Sequence, residues 1–162
     1  MVAAARHAND RTLSIGVGIA PCTVPTAGRP TFTLDDGEMD IGMGVHGEPG
    51  IRRAALAPAD EVADELVAIL LEDRPPAPGE PLLVLSNTLG ATPAMEGFVL
   101  LRRVLRRLED EGVPVHRALV GEYITSLEMA GASVTFTHLD DELQRLLDAP
   151  SSPLAAPRLG PA

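Results

Sequence analysis

The chain has 162 residues, the length of one ordinary domain, and its 45% hydrophobic content is enough for a real core. A formal charge of −10 argues against nucleic acid and anionic membrane surfaces, and three Phe, one Tyr and no Trp leave no stacking platform for single strands. The one cysteine, Cys22, excludes an internal disulfide and supplies no metal cluster, and no apolar run reaches the ~20 residues of a membrane span.

Residues 1–11 are Ala-rich and polar without a core period, and read as a disordered or truncated start, or as the tail of a helix. Thr12 to Ala20 alternates and predicts a strand. Three prolines within Pro21 to Pro30 defeat both helix and ladder, so this stretch is a loop. Thr31 to Leu34 reads as a short strand, Asp35-Asp36-Gly37 as a turn, and Glu38 to His46 as a second long strand.

Asp60 is placed to cap a helix running to about Leu71, with Val62, Leu66, Ile69 and Leu70 on one face. Residues 73–81 form a Pro-rich connector. The apolar run Leu82 to Leu85 predicts a buried strand, and Ser86 to Thr92 a polar loop. A helix from about Pro93 to Glu111 follows, with Phe98, Leu101, Leu105 and Leu108 as its apolar stripe and Gly112 as its stop.

Val113 to Val120 and Ser133 to Leu139 alternate as strands, while Gly121 to Gly131 is ambiguous. Asp140-Asp141 opens a short helix ending near Asp148, and residues 149–162 read as a flexible tail. This order predicts a single α/β domain: a two-layer mixed β-sheet with helices mainly on one face. It is not a regular doubly wound series, because the first strands are not separated by helices.

The richest segment runs from Glu38 to Gly50, a strand-like alternation ending on His46 between glycines. Gly44, Gly47 and Gly50 permit tight bending or positive φ, and Pro49 biases Glu48 toward extended geometry. The residues alone leave two readings open. One is a rigid turn presenting a nucleophile-capable imidazole; the other is a Gly-rich connection with a surface histidine. Neither Gly16-Val17-Gly18 nor Gly42-Met43-Gly44 is followed by a helix, so neither is a dinucleotide fingerprint. All 13 basic residues are Arg, and without Lys no P-loop is possible. His7 and His116 have no partner by spacing, His138 reads as a structural or surface residue, and Cys22 as a buried small residue. Asn87 to Pro93 is a polar strand-to-helix loop of a kind that can bind ligands or merely cap.

Five segments together resemble the second half of the substrate-binding subunit of dihydroxyacetone (glycerone) kinases. They are residues 16–25 (GVGIAPCTVP), 41–51 (IGMGVHGEPGI), 87–93 (NTLGATP), 121–131 (GEYITSLEMAG) and 139–143 (LDDEL), so the likeness covers about residues 10–150. The resemblance implies that 12–148 is a C-terminal substrate-anchoring domain. It implies that His46 adds covalently to a ketone carbonyl, giving a hemiaminal; Gly44, Gly47 and Glu48 are then expected around the substrate, and Glu48, two residues on, is placed to orient the ring by a hydrogen bond. Neutral imidazole suits that role.

The family implies further that this chain binds no cofactor or metal of its own. ATP-Mg or a phosphorylated carrier belongs to a separate nucleotide-carrying donor subunit. Dihydroxyacetone or a similar triose is the expected small-molecule partner and a homo-oligomer the expected assembly; a cytoplasmic location is expected from the sequence itself, which shows neither a membrane span nor the charged-then-apolar order of a signal peptide. The family also carries an N-terminal α/β domain with acid/base residues, and nothing in residues 1–37 matches it. The chain is therefore expected to be inactive alone: a fragment, a half paired in trans, or a regulatory relative that senses the ketone without turnover.

Overall fold

Nine alternating residues, Thr12–Ala20, form strand β1 near the middle of a six-stranded sheet. Ile15 and Val17 turn toward one face and are buried, while Ser14 turns to the other. The computed structural model describes residues 1–46 and 48–151. Its other strands are β2 (Glu38–Ile41), β3 (Arg52–Ala55), β4 (Leu82–Thr88), β5 (Val115–Gly121) and β6 (Ala130–His138). The spatial order is β3-β2-β1-β6-β4-β5. Only β4 and β5 run parallel, so the sheet is mixed.

Helices α2 (Ala59–Asp73) and α3 (Ala94–Asp110) pack on each other and on one face of the sheet. Leu66 and Val67 of α2, Val104 and Leu108 of α3, and Val84, Val134 and Phe136 of the sheet form the core. Each such side chain contributes about 1.5–3 kcal/mol when fully buried. Helices α1 (Val2–Asp10) and α4 (Asp141–Asp148) flank Leu83 and Thr137, which face the other way. This is the expected single α/β domain with a mixed sheet, its two long helices on one face and the short α1 and α4 against the other.

Several boundaries differ from the sequence reading, each for a physical reason. The start is helical rather than disordered, because tertiary bonds hold α1. His7 Nε2 lies 2.5 Å from Asp140, and Arg11 Nε donates to the His138 carbonyl at 2.8 Å. The long strand to His46 stops at Ile41, since Gly42 takes φ +82° and turns the chain away. Thr31 to Leu34 makes no strand; only an isolated Thr23–Pro30 bridge joins that region. β3 was hidden because it is an exposed edge strand of Arg and Ala, which carries no apolar alternation.

β4 runs on through Ser86, Asn87 and Thr88, all buried. Asp60 does not cap α2, whose N-cap is Pro58; it sits in the first turn and pairs with Arg102. Phe98 points outward at 61% exposure, and Leu100 and Val104 take the core positions instead. The expected tail from residue 152 onward lies outside the described residues.

His138 is 2% exposed, and its Nδ1 lies 2.9 Å from Glu80, which also pairs with Arg11. Burial by itself raises the Glu80 carboxyl, but hydrogen bonds from His138 and the Ala77 N–H, with Arg11 nearby, hold it below the ordinary value. The Leu143 N–H, then His7, hold Asp140 low as well. A carboxylate depressed by folding stabilises above its unfolded value, and the contribution is lost as pH falls through the folded one. Urea unfolding should therefore show stability constant from pH 7 to 5 and falling below about pH 4. Glu80→Gln should flatten part of that fall; an identical acid slope in the variant would remove Glu80 from this role.

Candidate functional site

β2 delivers the chain into a loop closed at both ends. Gly42 N donates to Gly16 O at 2.7 Å, and Ile51 N donates to Ile41 O at 2.7 Å. Met43 is buried over Gly18 and packs in a small second core with Cys22, Leu89 and Met129, backed by Phe32 and Val45. That anchor is apolar, so the polar tip of the loop is pushed outward.

Within the tip, Gly44 N donates to Glu48 O at 3.2 Å. The Glu48 carboxylate folds back over the turn. Its Oε2 accepts from His46 N at 3.0 Å and its Oε1 lies 3.2 Å from His46 Nδ1. A Cβ at position 44 would stand 2.2 Å from Glu48 Oε2, so glycine is what lets the carboxylate reach the ring. Gly50 serves the second end of the loop, where a Cβ would meet Asp40 Oδ1 at 1.9 Å. Gly47 lies outside the described residues.

The His46 side chain is 84% exposed. A cleft of about 550 Å³ is lined by Gly44 and Val45 of the turn and continues past Met43, Ile51, Leu89 and Ile124 to Ser133 and Asp73; His46 itself is not part of its lining. The N–H of Glu48 itself holds the carboxyl below the ordinary range; slight desolvation opposes this, and the His46 N–H and ring add to the lowering. Glu48 is thus an anion at neutral pH, and an anion accepts, so Nδ1 carries the ring proton. Nε2 has no hydrogen-bond partner among the described residues.

The loop from Asn87 to Pro93 ties down the segment after β5, and its Leu89 packs with Met43 beneath the turn. Asn87 is buried, accepts from the Tyr123 and Ile124 N–H groups and donates to the Ile124 carbonyl. Thr92 does not cap α3; its hydroxyl accepts from Gly131 N at 2.8 Å. Among the described residues no group of three or more His, Cys, Asp or Glu is placed to hold a metal ion. No helix of the described residues is long and apolar enough to cross a membrane. His7 and His116, unpartnered by spacing, pair across the fold with Asp140 and Asp148. Cys22 is 1% exposed, the buried small residue the sequence suggested.

The model of the Dak1 domain matches residues 1–155. The chain belongs to the Dak1 domain family. It is 46% identical over 147 residues to the dihydroxyacetone-binding subunit DhaK of the PTS-dependent dihydroxyacetone kinase 2 of Listeria innocua, covering 91% of this chain and 44% of that one. It is 45% identical to the L-erythrulose 1-kinase of Mycolicibacterium smegmatis over 88% of this chain, and 42% identical to that organism's D-erythrulose kinase over 93%; each match covers 26% of the kinase. A solved structure of the dihydroxyacetone kinase operon co-activator Dha-DhaQ superposes with a TM-score of 0.82 at 31% identity, over 92% of this chain and 46% of that one. The chain thus spans less than half the length of each of these relatives. The relatives' kinase names agree with the family expected from the His46 segment.

Proposed function

We propose that this Dak1 domain holds a short-chain ketone as a hemiaminal on His46, for phosphoryl transfer from a separate donor subunit. The observation that carries the reading is the exposed His46 ring, with Nδ1 engaged by Glu48 and Nε2 without a hydrogen-bond partner among the described residues. In the step, Nε2 attacks the carbonyl carbon and one N–C bond forms. The C=O π pair moves to oxygen, which takes a proton from solvent water, and the Nδ1 proton passes by way of Glu48 back to solvent, so no net proton is gained or lost. Only the C=O π bond is broken and no σ bond of the ketone is lost, so expulsion of the imidazole re-forms the carbonyl and the addition is reversible. Glycerol has no carbonyl and cannot enter it. Fixing the ketone also fixes its hydroxyl for transfer, which is catalysis by positioning.

The donor, ATP-Mg or a phosphorylated carrier, belongs on the partner in this reading. In support of this, the chain carries neither of two common nucleotide-binding patterns: without Lys there is no P-loop, Gly16 and Gly18 lie inside β1, and Gly42 and Gly44 lead into a loop instead of a helix. The hydroxyl-binding and acid/base half is supplied in trans or as another part of the same protein. Transfer of phosphate requires both.

Titration with [2-¹³C]dihydroxyacetone tests the anchor. The ketone carbon signal should diminish and a tetrahedral-carbon signal appear on the protein; its absence at millimolar ketone would overturn the reading. Glu48→Gln should weaken the adduct by about tenfold, the usual scale for losing a group that orients an imidazole.

A second reading, a ligand-binding regulatory module, is favoured by the likeness to the Dha-DhaQ co-activator. Supplying a complementing half and a donor separates the two. Phosphorylated triose supports the kinase role, and an adduct without turnover supports the sensor.

A further inference from the structure

β1 is paired with β6 along its whole length, but with β2 only at Val17 and Gly18. Toward the start of β1 that second partner is gone. Gly42 N donates to Gly16 O at 2.7 Å, and the chain then turns away at Gly42, whose φ is +82°. In an antiparallel ladder every second residue turns its N–H and C=O to the same neighbour. The Gly16 carbonyl faces β2, and the β1–β6 register is unbroken from Thr12 to Gly18, so Ser14 also turns both groups to the β2 side. No backbone group among the described residues bonds to them there. Thr12 to Ile15 is thus an open edge of roughly 13 Å inside a strand that is otherwise paired on both sides.

This edge lies along the cleft of about 550 Å³, with Ile69, Leu70 and Asp73 of α2 on one side and Gly42 and Met43 at one end. Its other polar side chains are Ser133 and Ser14, whose hydroxyl is bonded to Thr135 at 2.8 Å. Arg74 Nη1 donates to Asp10 O at 2.6 Å, so α2 ends beside the start of β1. The last turn of α2 holds Glu72 and Asp73 and no basic residue, at the negative end of the helix dipole. Asp60, Asp64 and Glu65 of the same helix pair with Arg102, Arg103 and Arg52, whereas Glu72 and Asp73 have no ion-pair partner among the described residues.

Backbone groups in want of a ladder and acids in want of a cation define one occupant. A strand entering along the line that β2 leaves runs antiparallel to β1, and its alternate side chains meet Ile69 and Leu70, then Asp73. A second copy would bring a net charge of −10 to this acidic helix end. The chain covers only 44% of the Listeria DhaK subunit, and the hydroxyl-binding half of the reading above comes from the rest. The notch shares Gly42 and Met43 with the loop that carries His46, so a strand seated in it brings its own half alongside the ring.

We propose, resting on that reading, that the hydroxyl-binding half docks by adding an extended strand to β1 at Ser14, with apolar side chains toward Ile69 and Leu70 and a Lys or Arg against Asp73.

Amide exchange of the full chain, followed by NMR, tests this. In the free chain the Ser14 amide should exchange at least about 100-fold faster than those of Leu13 and Ile15, which face β6. Equal protection would mean that the edge is closed already, and would overturn the proposal. The capped peptide Ac-Val-Thr-Val-Thr-Arg-NH2 at millimolar concentration should slow Ser14 exchange severalfold, and its Glu-ending counterpart should bind about tenfold more weakly. Asp73→Asn should bring the two peptides together. No protection of Ser14, or no preference for Arg, sinks the idea. The part of the Listeria DhaK subunit that this chain does not match, co-expressed with it, should protect Ser14 as well; if it leaves Ser14 open, the notch is not where that half docks. The ketone adduct on His46 is read on the same samples. An adduct without Ser14 protection overturns the docking alone and leaves the hemiaminal reading standing, and no adduct overturns that reading.

Discussion

Replacing His46 with alanine is expected to abolish the ketone adduct while leaving the fold unchanged. The imidazole is exposed and hydrogen-bonds only to Glu48 among the described residues, so its removal costs little stability, within about 0.5 kcal/mol as for other surface positions. The loop keeps its anchors, because Met43 packing and the Gly42–Gly16 and Ile51–Ile41 bonds do not involve the ring. Loss of the adduct in a variant with unchanged Tm therefore reports chemistry, not misfolding. His46→Gln should behave the same way, since an amide nitrogen has no nucleophilic lone pair. An adduct of undiminished intensity in His46→Ala would place the addition elsewhere and remove the proposed function.

The contrast with Glu48→Gln adds information. The carboxylate is held ionised by the turn's own N–H groups and by the imidazole. Its attraction to the turn is present above the ordinary carboxylate range and lost as pH falls through its lower folded value. The wild-type adduct should therefore keep a Glu48 contribution down to mildly acidic pH, and the Gln variant should lack that dependence.

What could be read from the sequence was whatever obeyed a local period. β1 alternates without interruption and matches its predicted bounds. α4 follows its Asp140 cap, which accepts from Leu143 N at 2.9 Å. What escaped was set by tertiary context. β3 is a charged edge strand, β4 buries polar residues at its end, and Phe98 yields the core to Leu100 because α3 is rotated toward α2 and β4. The His46 turn is legible through its glycines, but not the reason for each. Gly44 leaves space for a carboxylate four residues on, and Gly50 leaves it for Asp40, contacts that no spacing rule anticipates. The same holds for Asn87, whose three bonds to the loop after β5 fill the stretch that was ambiguous in sequence.

Gly90→Ala is the stability change with the largest expected effect. A Cβ there would stand 1.6 Å from the Leu127 carbonyl oxygen and 2.8 Å from its carbon, both backbone atoms that cannot rotate aside. Leu127 is already at φ +50°, the one non-glycine with positive φ among the described residues, so its peptide has little freedom to yield. The loop would have to move. Ala91 N and Leu89 N are bonded to the Met129 and Gly131 carbonyls, so β6's start would move with it. Leu89 and Met129 are the floor on which Met43 rests, and Met43 carries the His46 turn. The substitution should cost about 3 kcal/mol, the upper range for overpacking, and lower Tm by about 6–12 °C. It should also weaken the ketone adduct, although Gly90 lies outside the turn. Gly112→Ala isolates the backbone component: Gly112 has φ +70° and open space where the Cβ would go, so its cost is only the left-handed strain of about 1–2 kcal/mol, with no effect on the adduct. If Gly90→Ala melts no lower than Gly112→Ala, the loop is not braced as described, and the support it lends His46 falls with it.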